Sequence, residues 1–356
     1  MNLKIYGYDN NPAVLFKRYA AAGITAVTGG ADENAIAAAA KTGLEYYICV
    51  GAFGTNGSTL LCRDAFDSPR RWFGSGCPNA PELREKLLEK ARSAARTAGI
   101  SGVTIDGARF ASPASEDGIG AFFTCFCPHC VKKMTDMGLD VSAIRTSVAA
   151  AHHFIEDAAP FDLPAHIDNL KAWLQFRKSC VSESLRAFFS EIKAINPSLK
   201  TGIYIFTPLL SPFVGQSYED ISQMCDFLAP MIYRTYPHAT GIACLDHELA
   251  AISRWFCGKT ESDRQTLADL LSALFGSRFD ALPSPEQLLA EGLPAETVIA
   301  EVRAAAQHTA ADLVPIIILN DDELPSILSN LEPLCRQVDF YLYEPAPFKK
   351  HFPDSL

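Results

Sequence analysis

Between Ile100 and Cys130 the chain reads ISGVTIDGARF and then CFCPHC. An apolar run ends in Asp106, Arg109 and Phe110 follow, and Cys125, Cys127 and Cys130 come next. A buried parallel strand that delivers a carboxylate at its C-terminal end is how an α/β barrel commonly builds a catalytic site. Three thiols spaced Cys-x-Cys-x-x-Cys, in a chain with no visible secretion signal, fit a metal site better than a disulfide pair. Thiolates at these spacings meet one ion because the turn between them folds back. Tetrahedral zinc asks for a fourth ligand. Cys77 is the first choice, because the loop after strand three lies beside the loop after strand four in a barrel, whereas Cys62 is farther from the next helix start. His129, inside the cluster, is expected to point away. Four sulfurs close the site, so the zinc is read as structural rather than catalytic. Free thiols, or a disulfide in a secreted protein, are the alternatives.

The other strand ends of a barrel would supply Tyr8, Asp9, Tyr204, Tyr233, Arg234, Asn320 to Asp322, Tyr343 and Glu344. Aromatic faces stack on sugar rings, and paired carboxylates do the acid, base or nucleophile work of glycoside cleavage. Asp106 is therefore the first catalytic candidate, Glu344 its expected partner, and Asp321 or Asp322 the next. Tyr8, Asp9, Arg109, Tyr204, Tyr233 and Arg234 would line the substrate. Each has a plainer reading. Asp106 caps a loop or pairs with Arg109, and Glu344 anchors the turn before Pro345. Asp321 and Asp322 cap the helix that starts near Glu323. Asp9 makes a turn before Pro12, and the tyrosines pack the rim. His152 and His153 read as solvated residues of a polar insertion.

Short apolar runs and helical patterns alternate around these residues. Strands are expected at 3–8, 24–28, 44–52, 102–105, 201–206, 227–233, 314–319 and 340–343. Helices are expected at 12–22, 32–42, 80–98, 128–137, 167–195 and 243–256, with a loop of about twenty residues rich in Gly, Ser and Asp after strand three. Eight strands with helices between them predict an α/β (β/α)8 TIM barrel. An open doubly wound sheet is the rival, but no strand is followed by a phosphate-binding glycine motif. The prediction is a single domain over residues 1–356, with a long insertion at about 111–165 after strand four and helical decoration around 258–295.

A net charge of −10, without Lys or Arg clusters, excludes the basic face that nucleic acid needs. No apolar run is long enough to span a bilayer. No basic stretch followed by an apolar one marks a signal peptide, and a trimmed chain would read the same. Seven of the eleven cysteines are scattered at 49, 62, 180, 225, 244, 257 and 335 and read mostly as small buried side chains if the compartment is reducing. The expected setting is cytoplasmic.

CPNAPELREKLLEKA, GVTIDGARF and CFCPHC together resemble the central part of glycoside hydrolases of the glycosidase-like (β/α)8 superfamily. There a strand-four pattern G-[IV]-x-x-D-x-x-R-F carries the carboxylate. WLQFRKSCVSESLRAFFSEIKAINPSLKTGIYIF and VGQSYEDISQMCDFLAPMIYR resemble the portion that follows, and the likeness covers residues 74–235. The cysteine pattern separately resembles the zinc site of family 42 β-galactosidases. By position, Cys77, Cys125, Cys127 and Cys130 would be the ligands. That family uses an Asn-Glu pair at strand four, whereas Ile105-Asp106 stands here, so its activity does not carry over.

The resemblance implies an O-glycosyl hydrolase acting on an oligosaccharide or glycoside, with a structural zinc. One rival is a carbohydrate-binding barrel without catalysis. Another is a hydrolase or lyase for an acidic or amino sugar, with Arg109 and Arg234 receiving a carboxylate. The partner expected is a carbohydrate, not nucleic acid or a membrane, and a homo-oligomer stays open.

Overall fold

The computed structural model describes residues 1–55, 60–234 and 244–353. Nine parallel strands form one curled sheet. They are β1 Asn2–Tyr6, β2 Ile24–Gly29, β3 Glu45–Gly51, β4 Gly102–Asp106, β5 Lys200–Ile205, β6 Phe227–Pro230, β7 Asp312–Leu313, β8 Ile316–Ile318 and β9 Gln337–Tyr341. Their order is β8-β9-β1-β2-β3-β4-β5-β6-β7. Strands covered on both faces become continuous apolar runs, which is why VTI and YYICV were legible as strands. A separate antiparallel hairpin pairs Cys62–Arg63 with Pro69–Arg70.

Both ends of the sheet order fall on consecutive chain. β7 pairs with β6, β8 pairs with β9, and Val314 and Pro315 stand between them. The strand expected at 314–319 begins only at Ile316, because Pro315 has no N–H for the ladder, and an unexpected short strand, β7, precedes it. Its carbonyl accepts from Asp339 N at 2.9 Å, and Ile232 N donates to Ile316 O at 3.0 Å.

Helices flank the sheet. Asp32 opens the helix Glu33–Thr42 by accepting from Asn34 N and Ala35 N, and Gly43 closes it at φ +75°. The helix Pro81–Arg96 buries Leu83, Leu87, Ala91, Ala94 and Ala95, a stripe at helical spacing, and packs on the 33-residue helix Leu163–Ile195.

Several boundaries differ from expectation. β1 stops at Tyr6, because Gly7 turns to φ +92°. β6 stops at Pro230. The stretch after β4 holds three helices, Gly118–Phe122, Pro128–Asp136 and Val141–Asp157, before the long one. His152 is half-buried rather than solvated, with its ring 5.2 Å from that of Phe66 and 6.1 Å from that of Phe123. It continues the buried register of Val148 and Ala151, while His153 is exposed. The 258–295 region contains the helices Glu261–Phe275 and Pro285–Glu291. Residues 56–59 of the glycine-rich loop and Ala243, the expected start of a helix that runs Leu245–Arg254, lie outside the described residues. Among the described residues no helix is long and apolar enough to cross a membrane.

Two glycines set how the interior fills. A Cβ on Gly202 would stand 2.2 Å from the ring of Phe227, and one on Gly102 2.6 Å from the ring of Tyr47. The missing side chains make room for rings from neighbouring strands. Nearby, Lys4 Nζ on β1 lies 3.3 Å from Asp339 Oδ2 on β9, and both residues are fully buried. The Lys4 ammonium also sits 4.3 Å from the Tyr47 ring centre, a contact that favours a desolvated cation.

Gly202→Ala is expected to cost about 1–3 kcal/mol through overpacking. It should lower the urea midpoint without changing the slope. Gly30→Ala, whose Cβ would meet nothing within 4 Å, should leave the midpoint in place.

Candidate active site and metal centre

Because all nine sheet strands run the same way, their C-terminal ends share one edge. There Asp106 closes β4, in register with Gly51 of β3. It faces a cavity of about 50 Å³ lined by Tyr6, Phe73, Gly107, Arg109, Tyr204, Met231, Tyr233, Ile316 and Tyr341. The ring centres of Tyr6 and Tyr341 are 5.5 Å apart, and those of Tyr233 and Tyr341 5.2 Å. Burial pushes the Asp106 carboxyl above the usual carboxylate range, although the Arg109 charge and the Gly107 N–H pull the other way.

Arg109 is clamped flat. Its guanidinium carbon lies 4.6 Å from the Trp72 ring centre and 4.7 Å from that of Phe206. Burial lowers its pKa to about 10 against the opposing pull of Glu248 and Asp106. Glu248, which sequence analysis missed, is 2% exposed and accepts from Ala114 N at 3.0 Å. Burial raises its pKa, and hydrogen bonds from Ser112 and Ala114 and the Arg109 charge oppose that. The available signal was a carboxylate inside the buried stripe of its helix, between Leu245 and Leu249.

The other expected residues divide. Tyr204 and Tyr233 line the cavity, and the Tyr204 hydroxyl donates to Asp339 at 3.1 Å. Tyr8 lies off the lining and shares a 2.9 Å hydrogen bond with the Tyr46 hydroxyl. Asp9 accepts from Asn11 N at 2.8 Å in an exposed turn. Arg234 grips Asp321 through two hydrogen bonds of 2.8 and 2.7 Å, and it also reaches Glu323 at 3.0 Å. Asp321 accepts from Glu323 N as well, near the start of the following helix. Asp322 is exposed and pairs with Lys350. Glu344 is exposed at the start of the helix Pro345–His351 and does not line the cavity.

The sulfurs of Cys77, Cys125, Cys127 and Cys130 all lie within 4.8 Å of one another, and all four residues are buried. A zinc–sulfur bond of about 2.3 Å makes a tetrahedral edge of about 3.8 Å, so one ion fits between them. Cys127 sits at the N-cap of the helix Pro128–Asp136, which brings Cys130 round on its first turn. N–H donors already point at the sulfurs. Asn79 N reaches Cys77 at 3.3 Å, Asn79 Nδ2 reaches Cys130 at 3.2 Å, and Arg63 N reaches Cys125 at 3.5 Å. Cys62, expected to lie apart, sits on the hairpin whose Arg63 N donates to Cys125. None of the eleven cysteines is in a disulfide. Four buried thiols with N–H donors behind them fit a closed metal centre.

No protein-family model and no curated protein sequence matches the chain. Solved structures do. A β-galactosidase from Rahnella sp. R3 aligns at a TM-score of 0.51 and 12% identity, over 93% of this chain and 55% of that one. A β-galactosidase from Halorubrum lacusprofundi aligns at 0.49 and 15%, over 97% and 53%. A GH42 β-galactosidase from G. stearothermophilus aligns at 0.46 and 12%, over 87% and 50%. The chain therefore shares an α/β fold with a glycoside hydrolase and spans about half the length of these structures.

The raised Asp106 carboxyl has a stability consequence. A carboxylate whose folded pKa lies above its unfolded value of about 3.9 costs stability once pH passes through that folded pKa. Asp106→Asn should therefore match or exceed wild type in Tm at pH 7. The advantage should vanish below pH of about 4, where both states are protonated.

Proposed function

We propose that the chain is a glycoside hydrolase on a single (β/α)8 barrel domain. In this reading β7 and β8 act together as one strand position that closes the ring. The carrying observation is Asp106: a half-buried carboxyl, its pKa raised by desolvation, at a strand end inside a tyrosine-walled cavity with a guanidinium beside it. A protonated carboxyl is what departure of a glycosidic oxygen requires. Arg109 orients Asp106 and the sugar, Glu248 holds Arg109 from behind, and Tyr204 and Tyr233 stack on the ring. Glu344, which follows β9 on the same edge, is assigned the second carboxylate role from its exposed position. Asp321 is the next candidate, although Arg234 occupies it.

A cavity of about 50 Å³ is small against the roughly 300–1,000 Å³ of small-molecule sites. Substrate entry therefore displaces part of the wall. Phe73, 52% exposed and at φ +45°, is the wall residue placed to move. The carbohydrate-binding reading without catalysis draws on one observation: among the described residues, Asp106 is the only carboxylate lining the cavity.

The metal assigned to Cys77, Cys125, Cys127 and Cys130 is zinc in a structural role. It would tie the loop after β3 to the loop after β4.

Turnover on a panel of neutral and acidic aryl glycosides and oligosaccharides tests the activity. Asp106→Asn should lower kcat by about 10²–10⁴, and Glu344→Gln should lower it more than Asp321→Asn. Binding without turnover, unchanged in Asp106→Asn, would leave the non-catalytic barrel standing. Separately, purified protein should carry one zinc per chain by elemental analysis, and a strong chelator should lower its Tm.

A further inference from the structure

Arg177 on the helix Leu163–Ile195 is fully buried. Its Nη2 donates to Ala111 O at 3.1 Å, but Nε and Nη1 have no hydrogen-bond partner. Its guanidinium is caged by rings, 4.6 Å from the Trp173 centre, 4.8 Å from Phe110 and 5.3 Å from Phe122. Among the described residues it forms no ion pair with a carboxylate. Cys180, three residues further along the same helix, accepts from Asn79 Nδ2 at 3.0 Å, and the same nitrogen reaches Cys130 at 3.2 Å.

A buried charge without a counter-charge is costly, and aromatic faces recover only part of that cost. A divalent ion held by four thiolates leaves two negative charges in a dry site. The two imbalances have opposite signs, and Cys180 and Asn79 link the helix of Arg177 to the sulfur cluster.

We propose that Arg177 is the built-in counter-charge of the metal centre. It is a positioning residue that favours the metal-loaded form and penalises the metal-free one. This rests on the zinc reading above and goes beyond it, because it assigns no ligand role. The Nη2 bond to Ala111 also ties its helix to the loop that carries Arg109.

The test compares wild type with Arg177→Met and Arg177→Lys, each zinc-loaded and zinc-stripped. Zinc affinity is read by competition with a chromophoric chelator, and Tm by calorimetry. Arg177→Met should bind zinc about 10–100-fold more weakly. It should lower Tm in the loaded form yet match or raise it in the stripped form, where the lone charge is gone. Arg177→Lys, which keeps the charge, should recover part of the affinity. Equal losses of Tm in both forms with unchanged zinc affinity would overturn the proposal and reduce Arg177 to packing. So would a lysine variant no better than methionine. A wild type that binds no zinc would instead remove the metal reading itself, before any variant is compared.

Discussion

The loop that leaves β4 is the constraint on which the site depends. It carries Asp106, Arg109 and the turn toward the cysteines, and it is held from several sides. Phe110 N donates to Val214 O at 3.0 Å, Ala111 O accepts from Arg177, and Ala114 N donates to Glu248. Arg109 is fixed between two rings. A charged side chain can be kept dry only where its neighbours are this well determined.

The polar interior follows the same logic at greater depth. Lys4, Asp339 and Tyr204 form a connected group of ionisable and polar residues below the cavity. Tyr6, itself in the cavity wall, packs edge-on against Tyr204 with ring centres 5.9 Å apart. Burial raises the carboxyl pKa of both Asp106 and Asp339. A core that keeps such groups instead of hydrocarbon gives up stability for a specific electrostatic environment. That is the pattern expected beneath a site of chemistry.

The cysteine centre belongs to this picture through geometry. The loop with Cys77, the hairpin with Cys62 and the turn before the helix Pro128–Asp136 meet at one point. Arg177, on the helix that also carries Cys180, donates to Ala111 O in the loop of Arg109. Two separate sequence signals, the acid strand end and the thiol cluster, are thus neighbours in one structural unit.

Local chemistry was readable from the chain alone. Apolar runs marked the strands, Asp32 and Gly43 bounded a helix, and the cysteine spacing with Cys77 defined the sulfur set, because these depend on residues close in sequence or on fixed loop adjacency. Strand-end position likewise put Asp106 among the candidates. Partnership across the fold was not readable. Arg234 and Asp321, both expected near substrate, are bound to each other from 87 positions apart. Glu248, on a distant helix, acts on the Arg109 charge and accepts from Ala114 N in the same loop. The late start of the strand at Ile316 and the partial burial of His152 likewise depend on what lies opposite. A sequence records which charges a chain owns, but only the tertiary structure decides which are left without water and which of their neighbours compensate them.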